Sequence, residues 1–454
     1  MTEPFLDFYR CPEDFGGFTL AAQLLTEPGY FRFGHDLVCF GQVSSGYSSQ
    51  APKNGLFDSL QNVSFNHAGI RLPFDLSQVV DNLRLERYLA PSDDGLMYRL
   101  IQDGYYWLRP LLGVSVRKHL QKLFFRGWDT IPFPRWPVDA TVEQLFERLM
   151  ALTLKSHRVE AVPFIWFWPE GASSCVMMTH DVEASAGADF CSKLMDIDDA
   201  WGIKASIQIV PEDRYPVTPR LLDSIRQRGF ELNVQDLNHD GRLFDSRKEF
   251  LIRARAINRY IKAFGSRGFR AAVMYRNPDW YEALDISYDL SVPNAAHLEP
   301  QRGGCCTVFP YFIGKILELP LTTTQDYSLF HILGDYSIEL WKRQIGLIQQ
   351  RHGLVSFIIH PDYIIAKRAR DVYLALLEYL TRLREEGNIW AALPGEVDHW
   401  WRQRSQMQLV AEAGRWVIKG PGSERARVAF ATLQGDALTY AVSNEARPAV
   451  VCAS

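Results

Sequence analysis

From about residue 160 to about 400 the chain keeps a steady rhythm of short apolar runs, each followed by an amphipathic stretch. The apolar runs fall at 174–179, 204–210, 230–234, 268–275, 288–292, 316–322, 354–360 and 389–393. Apolar runs of this length bounded by polar residues read as buried strands. Between them lie helices with explicit ends. Thr218-Pro219 supplies an N-cap and a first-turn proline, and Gly229 closes that helix. Ser246 opens another that Gly265 ends, and Asp335 or Ser337 opens the one before Gly353. Strands alternating with helices predict a mostly parallel sheet, and seven or eight of them make a closed or nearly closed (β/α) barrel the leading architecture.

The flanks have other patterns. Residues 1–155 read as an α+β region of unassigned role, with short strands and turns over 30–49 and helices near 75–88 and 114–125. The stretch 127–137 is rich in tryptophan and proline and predicts irregular structure: a strap between two parts of the molecule, in preference to a surface for stacking sugars. Thr141-Val142-Glu143-Gln144 opens a helix to about Lys155, with an acid in its first turn. The barrel is expected over 156–403. Beyond it, short alternating runs within 404–454 predict a small antiparallel β element.

Composition narrows the class without naming a reaction. The 454 residues, 47% hydrophobic and 22% charged, are those of an ordinary globular protein. A net charge of -4 gives no footprint for nucleic acid or an anionic membrane. No apolar run approaches the roughly 20 residues that span a bilayer. The first residues, Met1-Thr2-Glu3-Pro4-Phe5-Leu6-Asp7, lack the basic and apolar regions of a secretory signal, so a cytoplasmic location is expected. The seven cysteines include no C-x-x-C pair, and Cys305-Cys306 reads as two small apolar loop residues.

The chemistry gathers where the predicted strands end. The first carries Asp181 and Glu183, where acids could also serve a helix N-terminus. The third ends in Asn233-Val234-Gln235-Asp236-Leu237-Asn238-His239-Asp240-Gly241, the fourth carries Arg270, the fifth Asp289, and the seventh ends in Ile358-Ile359-His360-Pro361. Carboxylates and imidazoles at the ends of different strands can hold a divalent ion that lowers the pKa of water. A free carboxylate then takes the proton and a histidine supplies one to the leaving group. His297, His331 and His352 have no such company in sequence and read as structural or exposed.

These residues carry a resemblance. The region from about 170 to 395 resembles the polysaccharide deacetylase family, the metal-dependent carbohydrate esterases that include chitin and peptidoglycan deacetylases, whose fold is a distorted (β/α) barrel with five short motifs in fixed order. Thr179-His180-Asp181-Val182-Glu183 stands at the first motif, typically T-F-D-D. Asp181 matches the general base, and Glu183, two residues on, takes the place of the metal-binding acid because Val182 stands in register with it. Gln235 through His239 has the spacing of the H-x-x-x-H motif, with glutamine where the first histidine should be. Asp236 or Asp240 could substitute for it, whereas alternation turns His180 away. Gly268-Phe269-Arg270-Ala271-Ala272 resembles F-R-x-P, so Arg270 would orient the base, with Arg276 a second candidate. Asp289 resembles the acid that tunes the catalytic histidine, and His360 matches the general acid.

The resemblance implies a hydrolase acting on C–N bonds: removal of acetyl from an N-acetylated sugar or polysaccharide precursor, with a divalent metal, expected to be zinc, held by Glu183, Gln235 and His239. Its alternative is a lapsed member that binds carbohydrate or scaffolds polysaccharide assembly, which the amide at Gln235 favours.

Overall fold

Nine consecutive buried residues form the strand on which the central sheet is built, β1 (Ser174–Val182). The computed structural model describes residues 3–50, 55–66, 69–89, 125–387 and 389–443, and the helix expected at 114–125 falls almost wholly outside them. After β1 come β2 (Ala205–Ile209), β3 (Glu231–Gln235), β4 (Gly268–Arg270), β5 (Tyr288–Asp289), β6 (Tyr311–Ile313), β7 (Ile316–Glu318), β8 (Leu354–Ile359) and β9 (Ile389–Ala391). Their order across the sheet is β6-β7-β5-β4-β3-β2-β1-β8, with β9 beside β1. Every pairing is parallel except β6 with β7. A parallel sheet buries both faces, which is why its strands read as continuous apolar runs.

Each of the eight apolar runs overlaps one of these strands, yet three ladders stop early, β5 at Asp289 among them. Strand β4 ends at Arg270, and the run continues into a turn that holds Val273 and Met274 at φ of 59° and 55°. A β-branched residue in the left-handed region is an outlier, so apolarity here marks burial, not pairing. Strand β7 likewise ends at Glu318, and the residues after it meet β8 through side chains. Thr322 N donates to Ser356 Oγ at 2.9 Å, and Thr323 Oγ1 donates to the Ser356 carbonyl at 2.7 Å. The sheet is therefore strongly curled but not laddered all the way round.

Two crossover helices begin where their caps predict, whereas the helix Glu339–Gln349 has Ile338, not Asp335 or Ser337, at its N-cap. In the helix Pro219–Gln227, Thr218 Oγ1 accepts from Leu221 N, and in Arg247–Phe264, Ser246 Oγ accepts from Glu249 N. Gly265 closes the latter at φ 61°, a conformation that favours glycine. The tryptophan- and proline-rich stretch touches both sides of its surroundings. The Phe133 ring lies 5.1 Å from that of Tyr88, while the Pro137 carbonyl accepts from Gln344 Nε2 at 3.0 Å on the helix Glu339–Gln349. The last strands form antiparallel pairs, Gln408–Glu412 with Arg415–Lys419 and Val428–Gln434 with Ala437–Val442. Val428–Gln434 also pairs with Ala161–Ile165, which precedes the central sheet. Cys305 and Cys306 are free and buried. No helix among the described residues is long and apolar enough to cross a membrane.

Candidate functional site

Alternation along β1 settles which side chains share the inner face. Thr179 and Asp181 point one way and His180 the other. His180 Nε2 meets Asp198 Oδ2 at 2.8 Å on the far face, where Tyr373 also donates to that carboxylate at 2.5 Å. On the inner face, Arg270 Nη1 donates to Asp181 Oδ1 at 2.6 Å and to Thr179 Oγ1 at 2.7 Å, and its Nε donates to the Leu290 carbonyl at 3.1 Å. Arg270 is buried, so its orientation and that of Asp181 are fixed together. Arg276 is elsewhere: its guanidinium grips Glu86 through two nitrogens. Of the two arginines open in the sequence, the structure brings only Arg270 to Asp181.

Glu183 is the meeting point of the cluster. Its Oε1 lies 2.7 Å from His239 Nε2, 2.9 Å from Gln235 Nε2 and 3.4 Å from His360 Nε2. Gln235 Nε2 also reaches Asp181 Oδ2 at 3.2 Å. The loop delivering His239 is strained, with Asp236 and His239 at φ of 51° and 56°. Left-handed non-glycine residues cost about 1 kcal/mol or more each and gather at sites that need a fixed geometry.

His360 is held from behind. Its Nδ1 donates to Asp326 Oδ1 at 2.6 Å, and Asp326 Oδ2 accepts from the His360 backbone N at 2.7 Å. That leaves Nε2 facing Glu183 and Asp181. Asp289, expected to tune this histidine, does not reach it. Asp289 is in register with Phe269, the neighbour of Arg270, so parity places it on the opposite face of the sheet from Arg270. There it accepts from Ser291 N at 3.0 Å and Ser291 Oγ at 2.8 Å. The acid behind His360 is Asp326, which sequence reading missed. The only signal was its place in Thr324-Gln325-Asp326-Tyr327, just past an apolar run.

Two further acids open in the sequence do not take Gln235's place. Asp240 is paired with Arg253 at 2.7 Å, and Asp236 Oδ1 accepts from Leu237 N at 2.7 Å. His331, read as structural or exposed, belongs to a ring cluster beside the site. Its ring lies 5.0 Å from Tyr363, whose own ring lies 4.7 Å from His360. His352 is remote and meets the Ser173 carbonyl.

Electrostatics separates the two carboxylates. Burial raises the Asp181 pKa, outweighing the opposing pull of Arg270 and His360. Burial acts on Glu183 in the same direction, but His239 and His360 overcome it and hold Glu183 well below the usual carboxylate range. Desolvation disfavours the charged form of His360, yet Asp326 and Glu183 raise its pKa well above the ordinary value.

The donor set fits a divalent cation. Ligand atoms of Asp181, Glu183 and His360 lie within 4.8 Å of one another. His239 adds an imidazole on Glu183, and Gln235 Oε1 is buried with no hydrogen-bond partner. Carboxylate oxygens, imidazole nitrogens and an amide oxygen are ligand types that zinc and other divalent ions accept, the amide most weakly.

No protein-family model matches the chain, and no curated protein matches it. Among solved structures, a candidate polysaccharide deacetylase from Mycobacterium smegmatis is 17% identical with a TM-score of 0.43, covering 52% of this chain and 93% of that one. The allantoinase Puue is 13% identical with a TM-score of 0.39, covering 52% of this chain and 92% of that one. A mutant of BA3943, a CE4 family pseudoenzyme with restored enzymatic activity, is 14% identical with a TM-score of 0.30, covering 50% of this chain and 67% of that one. Solved structures similar to about half of this chain thus include deacetylases.

Proposed function

We propose that this chain is a divalent-metal-assisted hydrolase that removes the acetyl group from an N-acetylated sugar or polysaccharide precursor. The observation carrying the reading is the pairing of two separately anchored groups across one point: Asp181 fixed by Arg270 at 2.6 Å, and His360 fixed by Asp326 at 2.6 Å with its Nε2 toward Glu183. Glu183 and His239 would hold the ion, with Gln235 contributing at most its amide oxygen. The ion, when bound, supplies Lewis-acid polarisation of the acetyl carbonyl and acidifies water. Asp181 takes the proton from the water oxygen that forms the new bond to the acetyl carbon. Arg270 keeps the carboxylate turned toward that water. As the C–N bond breaks, His360 gives its Nε2 proton to the departing amine nitrogen, while Asp326 holds the ring through Nδ1. Acetate and the free amino sugar leave. General acid or base residues contribute about 10²–10⁴-fold each.

The test is acetate release from N-acetylglucosamine oligomers by protein loaded with zinc, cobalt or nickel. Release that falls at least about 10²-fold in Asp181→Asn and in His360→Ala is expected. No release by the unaltered chain with any of these ions would overturn the reading.

One observation favours a second reading. Gln235 spans both carboxylates with an N–H donor, at 3.2 and 2.9 Å, where a cation would otherwise draw them together. A site satisfied in this way would belong to a lapsed enzyme that retains carbohydrate binding. Gln235→His separates the two readings: zinc uptake and activity appearing only in the variant would establish the lapsed state.

A further inference from the structure

The loop after β2 brings a cation to the rim of the site. Arg214 Nε donates to the backbone carbonyl of Glu183 at 2.7 Å. The next residue fixes the loop: Tyr215 is buried, its hydroxyl donates to the Val182 carbonyl at 2.7 Å and accepts from Val210 N at 3.1 Å. Arg214 is thus held at its Nε, and its backbone by the buried residue that follows, while its side chain remains exposed. Its charge bears on His239, working against that histidine's protonation. Arg253, Arg270 and Arg276 on neighbouring elements each meet a carboxylate. Arg214 meets none within ion-pairing distance among the described residues.

An aromatic face stands on the His360 side of the site. The half-buried Tyr363 ring lies against His360, with His331 at 5.0 Å and Tyr327 at 5.8 Å from it. A flat half-buried ring suits the apolar face of a pyranose, while a guanidinium with free forked N–H groups suits a carboxylate or phosphate. We infer that Arg214 is a specificity-determining residue, and that the N-acetylated sugar bound here carries an anionic group, phosphate or carboxylate, which Arg214 takes while the sugar ring lies on the Tyr363 side. The inference rests on the carbohydrate reading given above and names the class of sugar.

Binding tests it independently of turnover. The intact chain is titrated calorimetrically with N-acetylglucosamine, N-acetylglucosamine 1-phosphate and N-acetylmuramic acid, alongside Arg214→Gln and Arg214→Lys. One anionic probe is expected to bind about tenfold tighter than the neutral sugar, as a charge-assisted contact provides. Which probe does so identifies phosphate or carboxylate. Arg214→Gln is expected to erase the preference for the anionic probe over the neutral sugar, Arg214→Lys to retain part of it, and added salt to weaken it. Equal binding of the three probes, binding of none, or a preference that survives Arg214→Gln would overturn the inference. An Arg214-dependent preference in a protein that releases no acetate would support it while removing the hydrolytic reading, so the two failures are distinguishable.

Discussion

Asp289, inside an apolar run, and Asp326, just past one, are both fully buried, yet only Asp326 touches His360. Replacing Asp326 by Asn removes the main attraction that raises the His360 pKa. A general acid is lost as pH rises through its pKa, so the basic limb of the kcat/KM profile is expected to move to lower pH in Asp326→Asn, with a rate loss of about 10²-fold. Asp289→Asn is expected to leave that limb in place. A pH–rate series on both variants checks this, and an unmoved limb in Asp326→Asn would remove His360 from the acid role. The contrast shows what was legible in the sequence. Asp181, Glu183, Arg270, His239 and His360 are brought together as their strand-end positions predict. Asp289 is not, because a strand's parity becomes readable only once its register with its neighbour is known. Only Tyr288 and Asp289 are paired in that strand. Gln235 was legible as a departure, but the direction of its amide was not.

Elements reveal a second kind of hidden dependence. The acid in the first turn of the helix Thr141–His157 looks in sequence like a dipole-favoured surface residue. Glu143 is instead 2% exposed, accepting from the Thr307 hydroxyl and from Val308 N at 3.4 Å on the loop after Cys305-Cys306. Burial pushes its pKa up to about 7 from 4.5. A carboxyl raised in the folded state contributes stability below its unfolded pKa and loses it as pH climbs through the folded one. The loss falls between about pH 4.5 and 7 and amounts to roughly 3 kcal/mol at 1.36 kcal/mol per pKa unit. Glu143→Gln cannot titrate, so its urea midpoint is expected to decline less over that range than that of the unaltered chain. Parallel slopes would show that Glu143 is already ionised in the folded protein. The helix itself was legible from Thr141 and its apolar periodicity. The burial of its first turn was not, since the covering loop lies some 160 residues away in sequence.

At the scale of the whole molecule, one cation ties together segments that sequence alone would assign to different parts. Arg404, on the helix Pro394–Gln406, is 2% exposed. Its Nε donates to the Trp166 carbonyl at 3.0 Å, and its Nη2 donates to those of Ile165 at 2.6 Å and Phe8 at 2.8 Å. The guanidinium also lies over the rings of Phe167 and Trp401. Burial drives its pKa down to about 9, which still leaves it charged at neutral pH. The helix Pro4–Tyr9, the strand Ala161–Ile165 and the helix Pro394–Gln406 therefore share one hub. The Tyr9–Tyr440 hydroxyl contact at 2.7 Å adds the last strand to it. Arg404→Met keeps the apolar stem but strands several buried carbonyls, a loss of roughly 3–5 kcal/mol at about 1–3 kcal/mol for each unsatisfied group. If the hub couples the flanking segments to the central sheet, urea unfolding followed by tryptophan fluorescence and by far-ultraviolet circular dichroism should give one coincident transition, moved to lower urea in the variant. Two separated transitions, with only one of them moved, would mean that the N- and C-terminal segments unfold as a unit of their own and that the sheet bearing Asp181 and His360 stands without them.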